Sequence, residues 1–340
     1  MAVRELRLSV IIGGQRYTVE AESFARGSYG SVHKAVRPDE PGSVFAVKIV
    51  QRAHVTTDSY RRHVRRENAA CSCVPLHPNI VASYGSYEIY NGWENDAYYL
   101  AMEYAQGETL LDYANRRRRV PEDEVRPIFR QAVAALHHVH RAGFAHRDVT
   151  LPNFVLAPGG HLKLLDFGLS ERLCPTGAHF TDFPGTALYA SPQICAGIAY
   201  NGRGADLWAL GVVLFCLVAN RFPFHGECVS TLSRCILDTP PNFAGLGDIS
   251  AQLRSLLGGM LEKHPSRRIT LSQVEQHDWL RTAVPTAPVD CPVYLPAATA
   301  VSAQDLGSAT SARGSSSSTM EQAEQQAAQI QRCSTDILRA

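Results

Sequence analysis

The sequence predicts an α+β fold in two lobes, a β-rich first part with one main helix and a mainly helical second part. Three observations carry this expectation. Residues 3–50 alternate apolar and polar side chains between turn signals, the period of strands with one buried face. After Glu103 the apolar spacing lengthens to that of helices. The apolar run Leu207–Ala219 is shorter than the ~18 residues of a membrane span and marks a buried core helix.

In chain order, "VRELRLSVII", a turn at Gly13 and Gly14, "QRYTVEAESF", "SVHKAVR" and "SVFAVKIV" read as one small antiparallel sheet, with a Pro/Gly/Asp turn at 38–42. A cap-like "TTD" around Thr57 opens the helix "SYRRHVRRENAACSCV", which Pro75 ends. "IVASYGSYEIY" and "AYYLAMEYA" return two more strands and close the first lobe, residues 1–103. The second lobe, 104–281, opens on "PEDEVRPIFRQAVAALHHVHRAG". Acidic residues fill its first turn, Val125, Ile128, Phe129, Val133 and Leu136 share one face, and Gly143 stops it. Pro127 is expected near that first turn, where a missing N–H is tolerated. Further helices are expected at 203–219, 250–263 and 271–280. Residues 282–340 turn to Ala, Pro, Thr and Ser, a low-complexity, mostly disordered tail, in which two readings of the stretch from Met320 to Ile330 stay open, unstructured like the rest or a short helix that docks to an unnamed partner.

With 340 residues, 45% hydrophobic and 19% charged, the composition is that of a globular chain. Lys plus Arg (33) balance Asp plus Glu (32), so neither nucleic acid nor a membrane is expected as partner. The basic clusters "RRHVRREN" (61–68) and "RRRR" (116–119) read as solvated helix faces. Nine cysteines, with no secretory apolar block near Met1, suggest free thiols in a reducing, cytoplasmic compartment. "CSC" at Cys71–Cys73 lacks the second ligand pair of a zinc site.

Chemistry concentrates in a few places. In "ARGSYGSV", small residues at Ala25, Gly27 and Gly30 let hairpin amides approach a polyanion. "FAVKIV" sets Lys48 inside an apolar strand, where a buried ammonium needs a partner, and Glu67 on the next helix is the candidate. In "HRDVTLPN", Asp148 would accept a proton from a hydroxyl and Asn153 would offer an oxygen to a divalent cation. Asp166 of "LLDFGLS" is a second hard oxygen ligand. In this order they describe a Mg-nucleotide phosphoryl-transfer site.

Together with "HPNIV" (His77–Val81), "PGTALYASPQ" (Pro184–Gln193), "DLWALG" (Asp206–Gly211), "NRFPF" (Asn220–Phe224) and "HPSRRIT" (His264–Thr270), these motifs make the chain resemble a eukaryotic protein kinase over residues 24–281. Gly185 and Thr186 before "LYASP" resemble the Ser/Thr type. "LVANRFPFHGE" and "GGMLEKHPSRRITLSQVEQHDWL" are most like the calmodulin-dependent and AMP-activated kinases.

The resemblance implies ATP and Mg2+ as cofactors and proteins as substrates. Lys48, paired to Glu67, would hold the α- and β-phosphates. Asn153 and Asp166 would hold magnesium, and Asp148 would orient the substrate hydroxyl and take its proton. Ala25, Gly27, Gly30, Val32 and Ala46 would belong to the nucleotide site, with Met102 as gatekeeper and Glu103 to Ala105 as the hinge. Thr186 would meet Asp148, Asp206 would brace the catalytic loop, and Trp208 would pack beneath it.

Several positions depart from the family pattern. Thr150 stands where a Lys is usual, and loss of that cation implies a rate lower by on the order of 10² to 10³. Thr109 and Pro152 stand where related kinases place acidic readers of an upstream Arg, with Glu108 adjacent, so weak selection for basic substrates is expected. Arg147 calls for an anion from the activation segment 166–193. Two sources stay open, a phosphorylated Thr181, which needs an upstream activating kinase, or Asp182 itself, and His63 would reach the same anion from the first helix. Gln193 replaces a Glu that pairs with Arg268. The histidines at 137, 138 and 140 and the thiol of Cys174 read as ordinary side chains. The expected function is an ATP-dependent protein Ser/Thr kinase, and the alternative is a nucleotide-binding pseudokinase acting as scaffold or allosteric partner.

Overall fold

The computed structural model describes residues 8–27, 30–51, 57–89, 97–174, 179–244, 246 and 249–282. Leu8–Ile12 (β1) and Gln15–Arg26 (β2) are joined by Gly13 and Gly14 at φ 56 and 78, the left-handed pair a tight hairpin turn requires. Ser31–Val36 (β3), Val44–Gln51 (β4), the helix Thr57–Cys73 (α1), Ser83–Ile89 (β5) and Ala97–Glu103 (β6) follow. The six strands form one antiparallel sheet in the order β1-β2-β3-β4-β6-β5.

This sheet curls until its two edges meet. A Cβ on Gly13 would come within 2.9 Å of the Tyr84 carbonyl oxygen, so the first turn lies against β5 and only glycine fits there. The curl encloses Tyr17, Phe45 and Tyr84, whose rings pack edge to face at 5.6 and 5.5 Å. On the opposite face, Val64 of α1 packs with Val50, Tyr98 and Leu100 of the sheet.

The second part carries Glu108–Thr109 (β7), Leu110–Arg117 (α2), Glu122–Arg141 (α3), Phe144–Ala145 (β8), Phe154–Leu156 (β9), Leu162–Leu164 (β10) and Glu171–Arg172 (β11). Pro192–Cys195 (α4), Gly202–Ala219 (α5), Val229–Asp238 (α6), Ala251–Met260 (α7), Leu271–Gln276 (α8) and Asp278–Arg281 (α9) complete it. α5 is apolar and long enough to cross a membrane by length and composition, yet 83% of it is buried, with α3 and α7 packed on it. It is the axis of the main core.

Some elements differ from the sequence reading. Pro127 falls in the second turn of α3, not the first, where it removes one i→i−4 hydrogen bond. The helix expected at 271–280 breaks at His277, whose ψ of 138 turns the chain. The helix expected at 250–263 ends at Met260. α2, α4 and α6 were not anticipated. Beyond Thr282, the expected tail lies outside the described residues, as do residues 1–7.

Candidate active site

A cleft of about 970 Å³ runs between the sheet and the helical part, and most of the residues singled out above line it. Its roof is the hairpin of β2 and β3. Gly27 N–H donates to the Gly30 carbonyl at 2.9 Å, while the hairpin tip, 28 and 29, lies outside the described residues. A Cβ on Gly30 would come within 2.2 Å of the Ile49 carbonyl oxygen, so glycine is needed for β3 to leave the turn against β4. Ala25 pairs with Val32, Val32 with Lys48, and Ala46 with Met102, which places all five on one continuous patch of sheet facing the cleft.

At the back of the cleft, Lys48 Nζ lies 2.8 Å from Glu67 Oε1 and 2.8 Å from Asp166 Oδ1. Glu67 is 1% exposed. Burial works against the Lys48 charge, and the Asp166 and Glu67 carboxylates overcome it and hold its pKa above the usual lysine value. Lys48 and His63 in turn keep Asp166 far below the carboxylate range despite its desolvation. Asp166 has φ 56, a left-handed conformation rare for a residue with a side chain, and its Oδ1 also accepts from Gly168 N–H at 3.1 Å.

Asp148 faces Asp166 across the cleft floor. Asn153 Nδ2 donates to Asp148 Oδ2 at 2.7 Å and to the Asp148 carbonyl at 2.8 Å, which locks the loop and leaves the amide oxygen for other work. Asp148 Oδ1 is buried and accepts no hydrogen bond from the described residues. Desolvation and the Asp166 charge push the Asp148 carboxyl up to about 7, against the Asn153 hydrogen bond and Lys48. That is where a general base works best at neutral pH. Thr150 is buried in the same loop, and Thr186 lines the cleft beside Asp148.

The loop is held from below. Asp206, 1% exposed on α5, accepts from the N–H groups of His146 (2.8 Å) and Arg147 (2.7 Å) and lies 2.8 Å from His140 Nε2. Trp208 stacks on Phe224 at 5.7 Å and under the Arg268 guanidinium at 5.0 Å. Arg268 Nη2 donates to Gln193 Oε1 at 2.9 Å, and burial pushes the guanidinium down to about 10.

At the hinge, Met102 ends the sheet's inner face, and the Glu103 carboxylate is turned out to Lys163 Nζ at 2.8 Å and Ala82 N–H at 3.1 Å. Ala105 follows on the cleft wall. Several lining residues escaped the sequence reading, Val155 and Phe24 among them. Val155, two positions after Asn153, forms part of the floor, and Phe24 packs edge to face on Tyr104 at 5.3 Å over the hinge. The position of Val155 relative to Asn153 was the signal available.

The regulatory residues need one correction. His63 was expected to reach the anion of the activation segment. The structure buries it in the cleft wall, with Nε2 3.4 Å from Glu67 Oε2 and its ring where a Cβ of Gly168 would be. Among the described side chains of α1, Arg66 contacts Asp182, Nη2 to Oδ2 at 3.3 Å. Arg66 belongs to the cluster 61–68 that the sequence predicts to be a solvated basic face. From the other side, Arg147 Nη2 lies 2.9 Å from Asp182 Oδ1 and donates to the Asp182 carbonyl at 2.8 Å. Thr181, next to it, is exposed.

Comparison with known proteins agrees with this arrangement. The protein kinase domain family matches residues 19–280. The chain is 35% identical over 282 residues to human NUAK family SNF1-like kinase 1, covering 81% of this chain and 40% of that protein. It is 35% identical over 267 residues to rat NUAK family SNF1-like kinase 2, covering 76% and 39%. It is 31% identical over 259 residues to the probable serine/threonine-protein kinase MARK-A of Dictyostelium discoideum, covering 76% and 24%. The chain thus spans about two fifths or less of the length of these relatives. Its cleft, its motif order and these similarities converge, and the chain belongs to the protein kinase domain family, within the calmodulin-dependent and AMP-activated group of the Ser/Thr type.

Proposed function

We propose that the chain is a protein kinase that transfers the γ-phosphoryl group of ATP to Ser or Thr hydroxyls of other proteins. The observation that carries this reading is Lys48 Nζ, held 2.8 Å from both Glu67 and Asp166, which joins the two lobes around one polar cleft. Asp148 Oδ1 takes the substrate hydroxyl's proton as that oxygen bonds to the γ-phosphorus. The bond from phosphorus to the β–γ bridging oxygen breaks, and ADP leaves. Lys48 and the Gly27–Gly30 hairpin hold the phosphates, and the hinge at Glu103 to Ala105 takes the adenine. Magnesium fits the donors present, since Asn153 and Asp166 offer hard oxygens, and when bound it would neutralise phosphate charge. Thr186 and the segment after it receive the hydroxyl-bearing peptide.

Thr150 places no cation beside the transferring phosphate, which supports a rate below that of a Lys-bearing loop. The same residue favours the second reading, a nucleotide-binding pseudokinase. Transfer of radiolabel from ATP with magnesium to a generic protein substrate, beside an Asp148→Asn control, decides between them. Signal above the control supports the kinase, and ATP binding with no signal supports the scaffold. Substrates rich in upstream Arg are not favoured in this reading, because Arg116 holds Glu108, the acidic residue adjacent to Thr109 in sequence, in a two-pronged ion pair. A cytoplasmic, reducing setting is proposed from the cysteine pattern alone.

A further inference from the structure

The activation segment reaches both the catalytic loop and α1 through the Asp182 carboxylate, with Glu171 beside it. Arg147 precedes Asp148 and has φ 67, and its side chain is 1% exposed. A buried guanidinium requires an anion. Asp182 provides both its carboxylate and its carbonyl oxygen, at 2.9 and 2.8 Å. The other carboxylate oxygen takes Arg66, the residue before Glu67. One carboxylate therefore joins the immediate neighbours of Asp148 and Glu67.

Two further features hold Asp182 there. Phe180 and Tyr200 exchange backbone hydrogen bonds of 2.9 Å in each direction, and the Tyr200 hydroxyl donates to the Asp182 carbonyl at 2.7 Å. The Phe180 ring covers the Arg147 guanidinium at 4.7 Å. The charges also balance. Arg66 Nε donates to Glu171 Oε2 at 2.8 Å, and Arg147 Nη1 is 3.9 Å from the same oxygen, so two cations face two carboxylates. Although partial burial works against it, the two arginines hold the Asp182 carboxyl below the usual range, so it is charged throughout the neutral region.

We propose that Asp182 is a positioning residue that, through Arg147 and Arg66, orders Asp148 and Glu67 without a phosphate on the activation segment. This rests on the kinase reading above. Phosphate on the exposed Thr181 would add negative charge to a cluster already balanced, and would gain little there.

The test uses the full chain, treated with a phosphatase, with Asp182→Asn, Asp182→Glu and Thr181→Ala variants, followed by kcat, ATP KM and melting temperature. Phosphatase-treated wild type and Thr181→Ala are expected to keep their activity. Asp182→Asn is expected to lose about tenfold in kcat, as the buried Arg147 guanidinium loses the partly exposed carboxylate that faces it, with ATP KM little changed. Asp182→Glu restores most of that loss, which separates charge placement from a general loss of packing. Loss of activity in Thr181→Ala or on phosphatase treatment, or an Asp182→Asn protein as active as wild type, overturns the proposal and leaves the kinase reading standing. So does an Asp182→Asn loss that Asp182→Glu does not reverse. Wild type with no transfer above Asp148→Asn overturns both.

Discussion

Lys48 and Asp166 stand 118 residues apart in sequence and 2.8 Å apart in space, and Glu67, on a third element, closes the same ion cluster. Removing Lys48 leaves Glu67, which is 1% exposed, as a buried charge without its cation. Lys48→Met is expected to abolish transfer and to destabilise the fold by about 3 kcal/mol, the scale for breaking a buried pair. The double change Lys48→Met with Glu67→Gln should recover most of the stability and none of the activity. Thermal melts of the four proteins check this, and additive losses in the double variant would contradict it.

Thr150 predicts a gain of function. Thr150→Lys puts a cation beside the transferring phosphate, in a loop that already lines the cleft. An increase in kcat of about tenfold to a hundredfold is expected, with ATP KM little affected. A steady-state assay with a generic Ser peptide measures it. An unchanged kcat would mean that the loop makes up for the missing charge by some other route.

Substrate choice should respond to Arg116. The wild-type chain is expected to prefer peptides with Arg three positions upstream by no more than about threefold, because Glu108 is occupied. Arg116→Ala releases that carboxylate and should raise the preference by about the same factor, the worth of an exposed ion pair. A positional peptide library run on both proteins is the measurement. A strong preference in wild type would show that another side chain reads the basic residue.

Cys228 is the thiol to watch. It caps α6, and hydrogen bonds from Ser230 and Thr231 bring it down to about 7 against the desolvation that opposes them. Lowering a thiol's pKa favours the thiolate, so its alkylation should rise with pH and reach half its maximum near pH 7. Cys216, 1% exposed in α5, is pushed up by burial and should react only on unfolding. Iodoacetamide labelling followed by peptide mass mapping across pH 6–9 tests both.

The sequence carried β1 to β6, α1, α3 and α5 well, because each has a period that survives over two or more turns or alternations. It carried α2 and α6 poorly, as both are short and their caps, Thr109 and Cys228, look like loop residues. At the site, Lys48, Glu67, Asp148, Asn153 and Asp166 were legible as types and order. Their convergence was an expectation that only the fold could bring into one place.

The error over His63 has a simple geometric origin. His63 and Glu67 are four residues apart on α1, so once Glu67 turns inward to Lys48, His63 must turn inward too. Arg66, one residue from Glu67, is rotated by about 100° and faces the activation segment. The helical period already contained this answer. The assignment of "RRHVRREN" to solvent concealed it, although Arg61, Arg62 and Arg65 of the cluster are indeed exposed.

Asp206 has a bearing on how the catalytic loop moves. Loops ordinarily open with little free energy, and their amides exchange quickly with solvent. Here the N–H groups of His146 and Arg147 end on a carboxylate carried by the most buried helix of the protein. Those two amides can exchange only when α5 parts from the loop, so their deuterium uptake should be as slow as that of the core. By that measure the residues just ahead of Asp148 belong to the protein's most protected interior, even though the chemistry they serve faces solvent.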